Sequence, residues 1–500
     1  MGQLLLGVDV GTYSSKGVLV EPNGNILNSH VVEHKMDVPQ PGWAEQDADE
    51  IWWKDVIQIC RVLVDGFSIK SEDIAGVAFS AIGPTLVVLD DQDKPLRPGI
   101  LYGVDTRATE EIDILNRKIG EDTVFEFSKM AFTSQSIGPK ILWVKRNEPK
   151  IWKKVKHLTT ASSYLVLRAT GEKVIDRHTA SHYMPLIDMQ KLEWSNRFSE
   201  DLVDLRMLPR LGWSDHQAGV ITSKAAEETG LKIGTPVAVG TVDALSEAIS
   251  VGAVSPGDLM IMYGSTTFFI LVTENPIPDP RVWTTGGAFK GQYNLAAGMS
   301  TTGSITRWFR DEFTRDIPTD QGYGHLFSAA ENIEPGAGGL IVLPYFSGER
   351  TPINDPNARG IIAGLTLSHT REHVFRAMLE GVAYGIRHNI ETFQNMGAPI
   401  IRILAVGGGT KSTIWPRIVS SVCKVKQIIP ELTIGASYGD AFLAGLSSGI
   451  LQRSDLSSWV KVGKEIVPDT KQMNFYELYF QQYRKLYENT REIIHGLHSP

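Results

Sequence analysis

The chain opens with two apolar runs, residues 4–6 and 18–20, on either side of "GVDVGTYSSKG" at residues 7–17. Short apolar runs around a turn of small residues predict a β-hairpin. The turn signal "PNGN" at residues 22–25 and the run "ILNSHVVEHK" predict a third strand. Over residues 48–67 the apolar positions Ile51, Trp52, Val56, Ile59, Val62 and Leu63 recur at helical spacing. "IAGVAFSA" at Ile74–Ala81 then reads as a buried strand. Three antiparallel strands, a helix and a further strand make a ribonuclease-H-like unit, an α/β sandwich.

The same order recurs. "LMIMYGSTTFFILVT" at residues 259–273 predicts strand, turn and strand, "QYNLAAG" a third strand and "GSITRWFRDEF" the helix. "IIRILAVGGG" predicts a strand opening into the segment "TKSTIWPRIVSSV". A repeated unit of this size predicts two domains. The boundary is placed near Gly240, giving residues 1–241 and 242–500. The segment "NFYELYFQQYRKLYENTREIIHGL" predicts an amphipathic packing helix with its stripe at Phe475, Leu478, Tyr479, Leu486 and Ile493.

Composition narrows the class. A hydrophobic content of 42%, a charged content of 21% and a net charge of −8 describe an ordinary globular chain and argue against a nucleic-acid partner. Two cysteines, Cys60 and Cys423, give no disulfide framework. Cys60 lies in a helix-like apolar run, which predicts a buried thiol in a reducing compartment. The start has no basic region followed by a long apolar one, and Leu6 breaks the pattern for acylation at Gly2. No apolar run approaches a membrane span, so a cytoplasmic protein with no membrane partner is expected.

The hairpin contains an anomaly: Asp9 sits inside an apolar strand, where aspartate is disfavoured. A turn of small residues can aim several N–H groups at one anion, and an adjacent carboxylate can hold hydrated magnesium. Asp9, Gly11 and Thr12 fit that need, though a plain hairpin with a bulge at Gly11 fits as well. A second such turn occurs at residues 264–267, and "GGGTKS" at residues 407–412 joins a strand to a helix. No Gly-x-x-x-x-Gly-Lys-Ser/Thr loop is present. Asp243 falls where a helix begins; position alone favours an N-cap, and a general base is the alternative.

At this point the residues resemble the FGGY carbohydrate kinases of the actin/hexokinase/Hsp70 superfamily. "GIIAGLTLSHTREHVFRAMLE" at residues 360–380 is similar to the family's C-terminal signature throughout. "GPKILWVKRNEP", around Lys140 and Trp143, resembles the N-terminal signature but departs at Ile137. "PGWAEQDADEIWW", "YFSGERTPINDPNARG" and "ASYGDAFLAG" also read like the family. The resemblance implies two ribonuclease-H-like (actin-like ATPase) domains flanking a deep catalytic cleft. The implied reaction moves the γ-phosphoryl group of Mg-ATP to a sugar or polyol hydroxyl.

It also implies residue roles. Asp9 would lie near magnesium. Gly11, Thr12, Tyr13 and Lys16 would form the first phosphate loop, with Lys16 near the transferring group. Gly264, Ser265 and Thr266 match the second loop, Gly303 a neighbouring nucleotide contact, and Gly408, Gly409 and Ser412 the adenosine side. Asp243 matches the catalytic base. On the substrate side the resemblance points to Ser80, Gly83, Pro84, Asp105 and Arg107, together with Asp243. The sequence as a whole resembles xylulose kinases most nearly, but these carry a Met-His pair where this chain has Gly83 and Pro84, so that pair is absent here. Asp105 and Arg107 stand equally as sugar contacts or as a pair at a helix start.

The partners implied are ATP and a small sugar or polyol, with a second copy of the chain as a further candidate. The alternatives are a kinase of another polyol, ketose or sugar acid, such as ribulose, gluconate, erythritol or glycerol, and a non-catalytic ATP- or sugar-binding sensor. A sensor would carry an added DNA-binding domain and a chaperone a peptide-binding one. The first loop starts at residue 9, so no DNA-binding domain is expected ahead of it, and no segment is left over for a peptide-binding one.

Overall fold

A computed structural model describes residues 3–65 and 69–497. The last two positions of the helix expected over 48–67, and the Gly2 position, lie outside the described residues. One cut does not divide the chain. One compact unit comprises Met1–Val254, Val272–Asn294 and Ile434–Lys461, and the other Ser255–Leu271, Leu295–Thr433 and Val462–Pro500. Residues 242–254, assigned above to the second half, therefore belong with the first unit, because their helix packs on a helix returning from residues 436–447.

In the first unit the sheet runs Gln217–Val220, Pro236–Ala238, Ile74–Ala81, Leu4–Val10, Ser14–Val20, Ile26–Glu33, with Thr241–Val242 beside Ile74–Ala81. Leu4–Val10 pairs antiparallel with Ser14–Val20 and parallel with Ile74–Ala81. Its apolar run is nearly continuous because both faces are covered. The helix Lys54–Asp65 lies on one face, where a Cβ on Gly17 would meet Ile59 at 2.2 Å. The helix Ala436–Ser447 lies on the other, where a Cβ on Gly7 would meet the Ser437 carbonyl at 2.0 Å. The expected first helix has two parts, a π-helical turn Ala48–Trp53 capped by Asp47 and the α-helix proper from Lys54. A second core, from Leu86 to Leu208, includes Trp143, Tyr183 and Leu186.

In the second large sheet the strands follow the order Trp283–Gly286, Tyr293–Met299, Thr267–Thr273, Asp258–Tyr263, Arg402–Val406, Gln427–Pro430, Val462–Ile466. Again the central strand pairs antiparallel with its hairpin partner and parallel with the strand beyond. Apart from Thr241–Val242 in the first and the edge strand Trp283–Gly286 in the second, the two sheets share one strand order, as the repeat predicts. The helix Gly303–Phe313 matches the predicted segment end to end. The C-terminal helix Thr470–Gly496 also forms, but on a different face from the one expected. Tyr476, Phe480 and Tyr483 are buried, whereas Leu478 and Ile493 are exposed. Polar tips decide the face. Tyr476 bonds Arg376 and Glu380, and the Tyr483 hydroxyl meets that of Tyr345 at 2.7 Å. Leucine at 478 offers no such anchor. Among the described residues no helix is long and apolar enough to cross a membrane.

Candidate active site

Asp9 sits one residue before the end of its strand, opposite Lys16 on one side and Ser80 on the other. Its Oδ1 accepts the Ser80 hydroxyl at 2.9 Å, and Asp440 Oδ2 lies 2.6 Å from the same hydroxyl. Asp440 Oδ1 in turn accepts the Ser246 hydroxyl at 2.6 Å. This chain ties the strand, the helix Asp243–Ser250 and the helix Ala436–Ser447 together. Ser80 is fully buried inside it. Its hydroxyl is taken up by two carboxylates, so it orients Asp9 rather than facing a ligand.

Asp243 is the first residue of its helix, and Val242 holds the cap position. The N-cap reading is thereby corrected: among the described residues the Asp243 carboxylate accepts only the Ala244 N–H, at 2.8 Å. Burial raises its carboxyl to about 6. Burial and then Asp243 push Asp9 well above the carboxylate range, against the pull of the Ser80 bond. Glu247, one helical turn beyond Asp243, is raised to about 7 by burial and by Asp243. Lys16 faces this group, lowered by burial, and donates to the Ile434 carbonyl at 2.6 Å. Three carboxyl groups therefore face one amine, and burial favours the neutral form of each. No group of three or more His, Cys, Asp or Glu among the described residues forms a cage for a metal. That donor set fits magnesium, which takes one or two carboxylates with water and phosphate oxygens.

The first loop has its carbonyls turned inward. Ser14 O accepts Gly11 N–H at 2.9 Å, Tyr13 O accepts His34 N–H at 3.0 Å, and Thr12 O accepts Gln46 Nε2 at 2.8 Å. Gly11 O lies 3.0 Å from His34 Nε2. No acceptor among the described residues meets the N–H of Thr12 or Tyr13. The Tyr13 side chain is 63% exposed.

Gly83 and Pro84 are joined by a cis peptide bond. A Cβ on Gly83 would meet Val242 at 2.3 Å, so that wall is closed to side chains. Asp105 and Arg107 are buried and bonded to each other, with Arg107 Nη1 on Glu45 Oε1 at 2.6 Å and the guanidinium 4.1 Å above the Trp43 ring. The helix that follows begins at Thr109 with Ala108 as its cap, so the pair is no helix start. Beside it, Lys140 donates to the Leu101 and Tyr102 carbonyls, and burial lowers it to about 7.

In the second unit Gly264, Ser265, Gly303, Gly408, Gly409 and Ser412 line one cavity of about 780 Å³. Thr266 closes the turn, its carbonyl accepting Gly264 N–H at 3.0 Å. Gly303 N–H donates to Gly264 O at 2.9 Å, and a Cβ there would meet that oxygen at 2.6 Å. The bare backbone allows close approach of an anion, and the cavity also holds an aromatic wall of Tyr323, Phe327 and Trp415. Arg307 and Lys411 add cations at its rim. Sequence reasoning missed the wall, whose signal was "GYGHLF" in a helix of the second unit. It also missed Glu247, His34 and Gln46.

Residues 4–250 match the model of the N-terminal domain of the FGGY family of carbohydrate kinases, and residues 259–448 that of its C-terminal domain. The chain is 29% identical to the xylulose kinase of Lactococcus lactis subsp. lactis (strain IL1403), covering 99% of this chain and 98% of that one. It is 26% identical to the gluconokinase of Bacillus subtilis (strain 168), over 92% and 90% of the two chains. It is also similar to the crystal structure of xylulose kinase from Rhodospirillum rubrum, with a TM-score of 0.91 and 27% identity over 99% and 100% of the chains.

Proposed function

The chain belongs to the FGGY family of carbohydrate kinases, and from that premise we propose that it phosphorylates a ketose of the xylulose type, with Asp243 as general base. The observation that carries this reading is the largely buried Asp243 carboxyl, raised to about 6 by burial and close enough to Asp9 to push that carboxyl up. A carboxylate poised near the working pH can take the proton of an attacking hydroxyl.

Phosphoryl transfer otherwise asks for positioning and charge neutralisation. Asp9, held by Ser80, would carry the magnesium, with Asp243 beside it. That ion would neutralise charge developing on the phosphoryl oxygens. Lys16 would exchange the Ile434 carbonyl for a phosphoryl oxygen. The N–H groups of Thr12 and Tyr13 and the loop from Gly264 would take phosphates. Gly408, Gly409 and Ser412, with the aromatic wall, would take the nucleoside.

The xylulose kinases of Lactococcus and Rhodospirillum support xylulose as the acceptor. A second reading, another ketose, polyol or sugar acid, is favoured by the Gly83–Pro84 wall, which offers no side-chain donor. The cytoplasm suits two free, buried cysteines and a need for ATP.

The test is ADP release over a panel of ketoses, polyols and sugar acids, with wild type and Asp243→Asn. Wild type should favour a ketose, and the variant should lose turnover by about 10² to 10⁴ with little change in nucleotide binding. Asp243→Asn within about twofold of wild type would remove the general base. A sugar acid preferred over every ketose would move the substrate class.

A further inference from the structure

Gln46 is wholly buried, in the two-residue strand Glu45–Gln46 that pairs with Gly99–Ile100. Every polar group of its amide is used. Oε1 accepts the Trp52 indole N–H at 2.8 Å, while Nε2 donates to the Thr12 carbonyl at 2.8 Å and to the Lys35 carbonyl at 3.3 Å. An indole nitrogen can only donate and a carbonyl can only accept, so the amide has one orientation open to it. Trp52 is itself wholly buried, in the turn Ala48–Trp53, whose cap Asp47 accepts the N–H groups of Asp49 and Glu50 at 2.9 and 2.8 Å. The far end of the glutamine is therefore anchored to a capped helical turn.

We infer that Gln46 is a positioning residue: by pinning the Thr12 carbonyl it aims the Tyr13 N–H at a phosphate of the bound nucleotide. The inference rests on the reading of the first loop as a phosphate site. The link is covalent geometry. The Thr12 C=O and the Tyr13 N–H belong to one planar trans peptide and point in opposite directions from it. Such a plane turns as a unit, so a carbonyl held inward holds its N–H outward. Among the described residues Gln46 is the sole donor to the Thr12 carbonyl, and no acceptor meets the Tyr13 N–H. A backbone N–H that is fixed in direction and left unpaired is what an anion site in a turn is made of.

Burying an amide is costly unless all of its groups are met, and an apolar side chain in this core would avoid that cost. What an apolar side chain cannot do is fix the rotation of the Thr12–Tyr13 peptide. A glutamine that only fills the core and a glutamine that aims the loop therefore differ in one measurable respect, whether its loss singles out the phosphate part of the ligand.

The test compares the dissociation constants of magnesium β,γ-imido-ATP and of adenosine on the full chain, at a single pH and well below the melting temperature of each variant. Gln46→Met keeps the length of the side chain and removes the donor. It should weaken the imido-ATP complex by roughly tenfold or more, the size of one hydrogen bond to a charged group, and leave adenosine within about twofold. Gln46→Asn, an amide too short to reach Thr12, should do the same, and it decides alone if Gln46→Met does not fold. Equal weakening of both ligands, or of neither, would overturn the aim. Tyr13→Pro, which deletes the aimed N–H itself, separates the two readings. If it leaves imido-ATP affinity unchanged, the Tyr13 N–H holds no phosphate and both readings fall. If it weakens that affinity while the Gln46 variants do not, the loop stands and the pin falls.

Discussion

Single buried carboxyls carry much of this protein's electrostatics, and Glu349, in the second unit, shows the effect without a second carboxyl among its causes. Its Oε1 accepts the N–H groups of Ser300 and Arg350 at 2.7 and 2.8 Å, yet burial raises it from 4.5 to about 7. Between those values the folded state holds a proton that the unfolded state has lost. The stabilisation from the neutral form is therefore complete below about pH 4.5 and gone as the pH rises through about 7. Glutamine keeps the accepting oxygen and cannot ionise. Glu349→Gln should thus become more stable than wild type by about 1–3 kcal/mol at pH 8, with little difference at pH 4.5. Denaturation at the two pH values measures this, and parallel pH profiles for the two proteins would refute it. Sequence alone flagged Asp9 because an acid in an apolar strand is rare. It could not flag Glu349 or Glu247, whose acids sit in loop or helix sequence where acids are common. Nor could it tell that Ser80 faces two carboxylates, since both partners lie far away in the chain.

At the scale of elements, hydrophobic periodicity located the hairpins, the third strands and the helix Gly303–Phe313, because each element is local and covered on a predictable face. It failed on the C-terminal helix, where tyrosine hydroxyls with buried partners outweighed leucine. "ASYGDAFLAG" showed as a family likeness without a mechanism, and its glycine now has one. A Cβ on Gly439 would meet the Ser246 carbonyl oxygen at 2.0 Å, so the helices Ala436–Ser447 and Asp243–Ser250 touch backbone to backbone. Gly439→Ala would gain about 0.5–1 kcal/mol of helix propensity. It would lose more, since overpacking costs about 1–3 kcal/mol and here the obstacle is backbone. A fall in melting temperature of several degrees is expected, accompanied by lower turnover as the Ser246–Asp440 bond shifts. A variant as stable as wild type would show that these helices can separate freely.

For the whole molecule, the two units differ from the two halves of the sequence. Each takes three segments of the chain. The expected cut at 241/242 came from a repeat that is real in strand order but says nothing about which later helix returns to which sheet. A fragment of residues 1–241 should accordingly fail to fold, because it lacks both the helix Asp243–Ser250 and the helix Ala436–Ser447 that covers Leu4–Val10 and Ile74–Ala81. Circular dichroism melting and gel filtration test this; a monodisperse fragment with a cooperative transition would contradict it. The same returning helix bears on the protein's birth. The first sheet leaves the ribosome early, but its cover waits for the roughly 180 residues between Val254 and Ile434. At about 5–20 residues per second that wait lasts roughly 10–40 seconds. Through it the glycine-lined face of the nascent sheet stands open, the kind of apolar surface that holding chaperones bind, so slower translation would lengthen the chain's exposure to them.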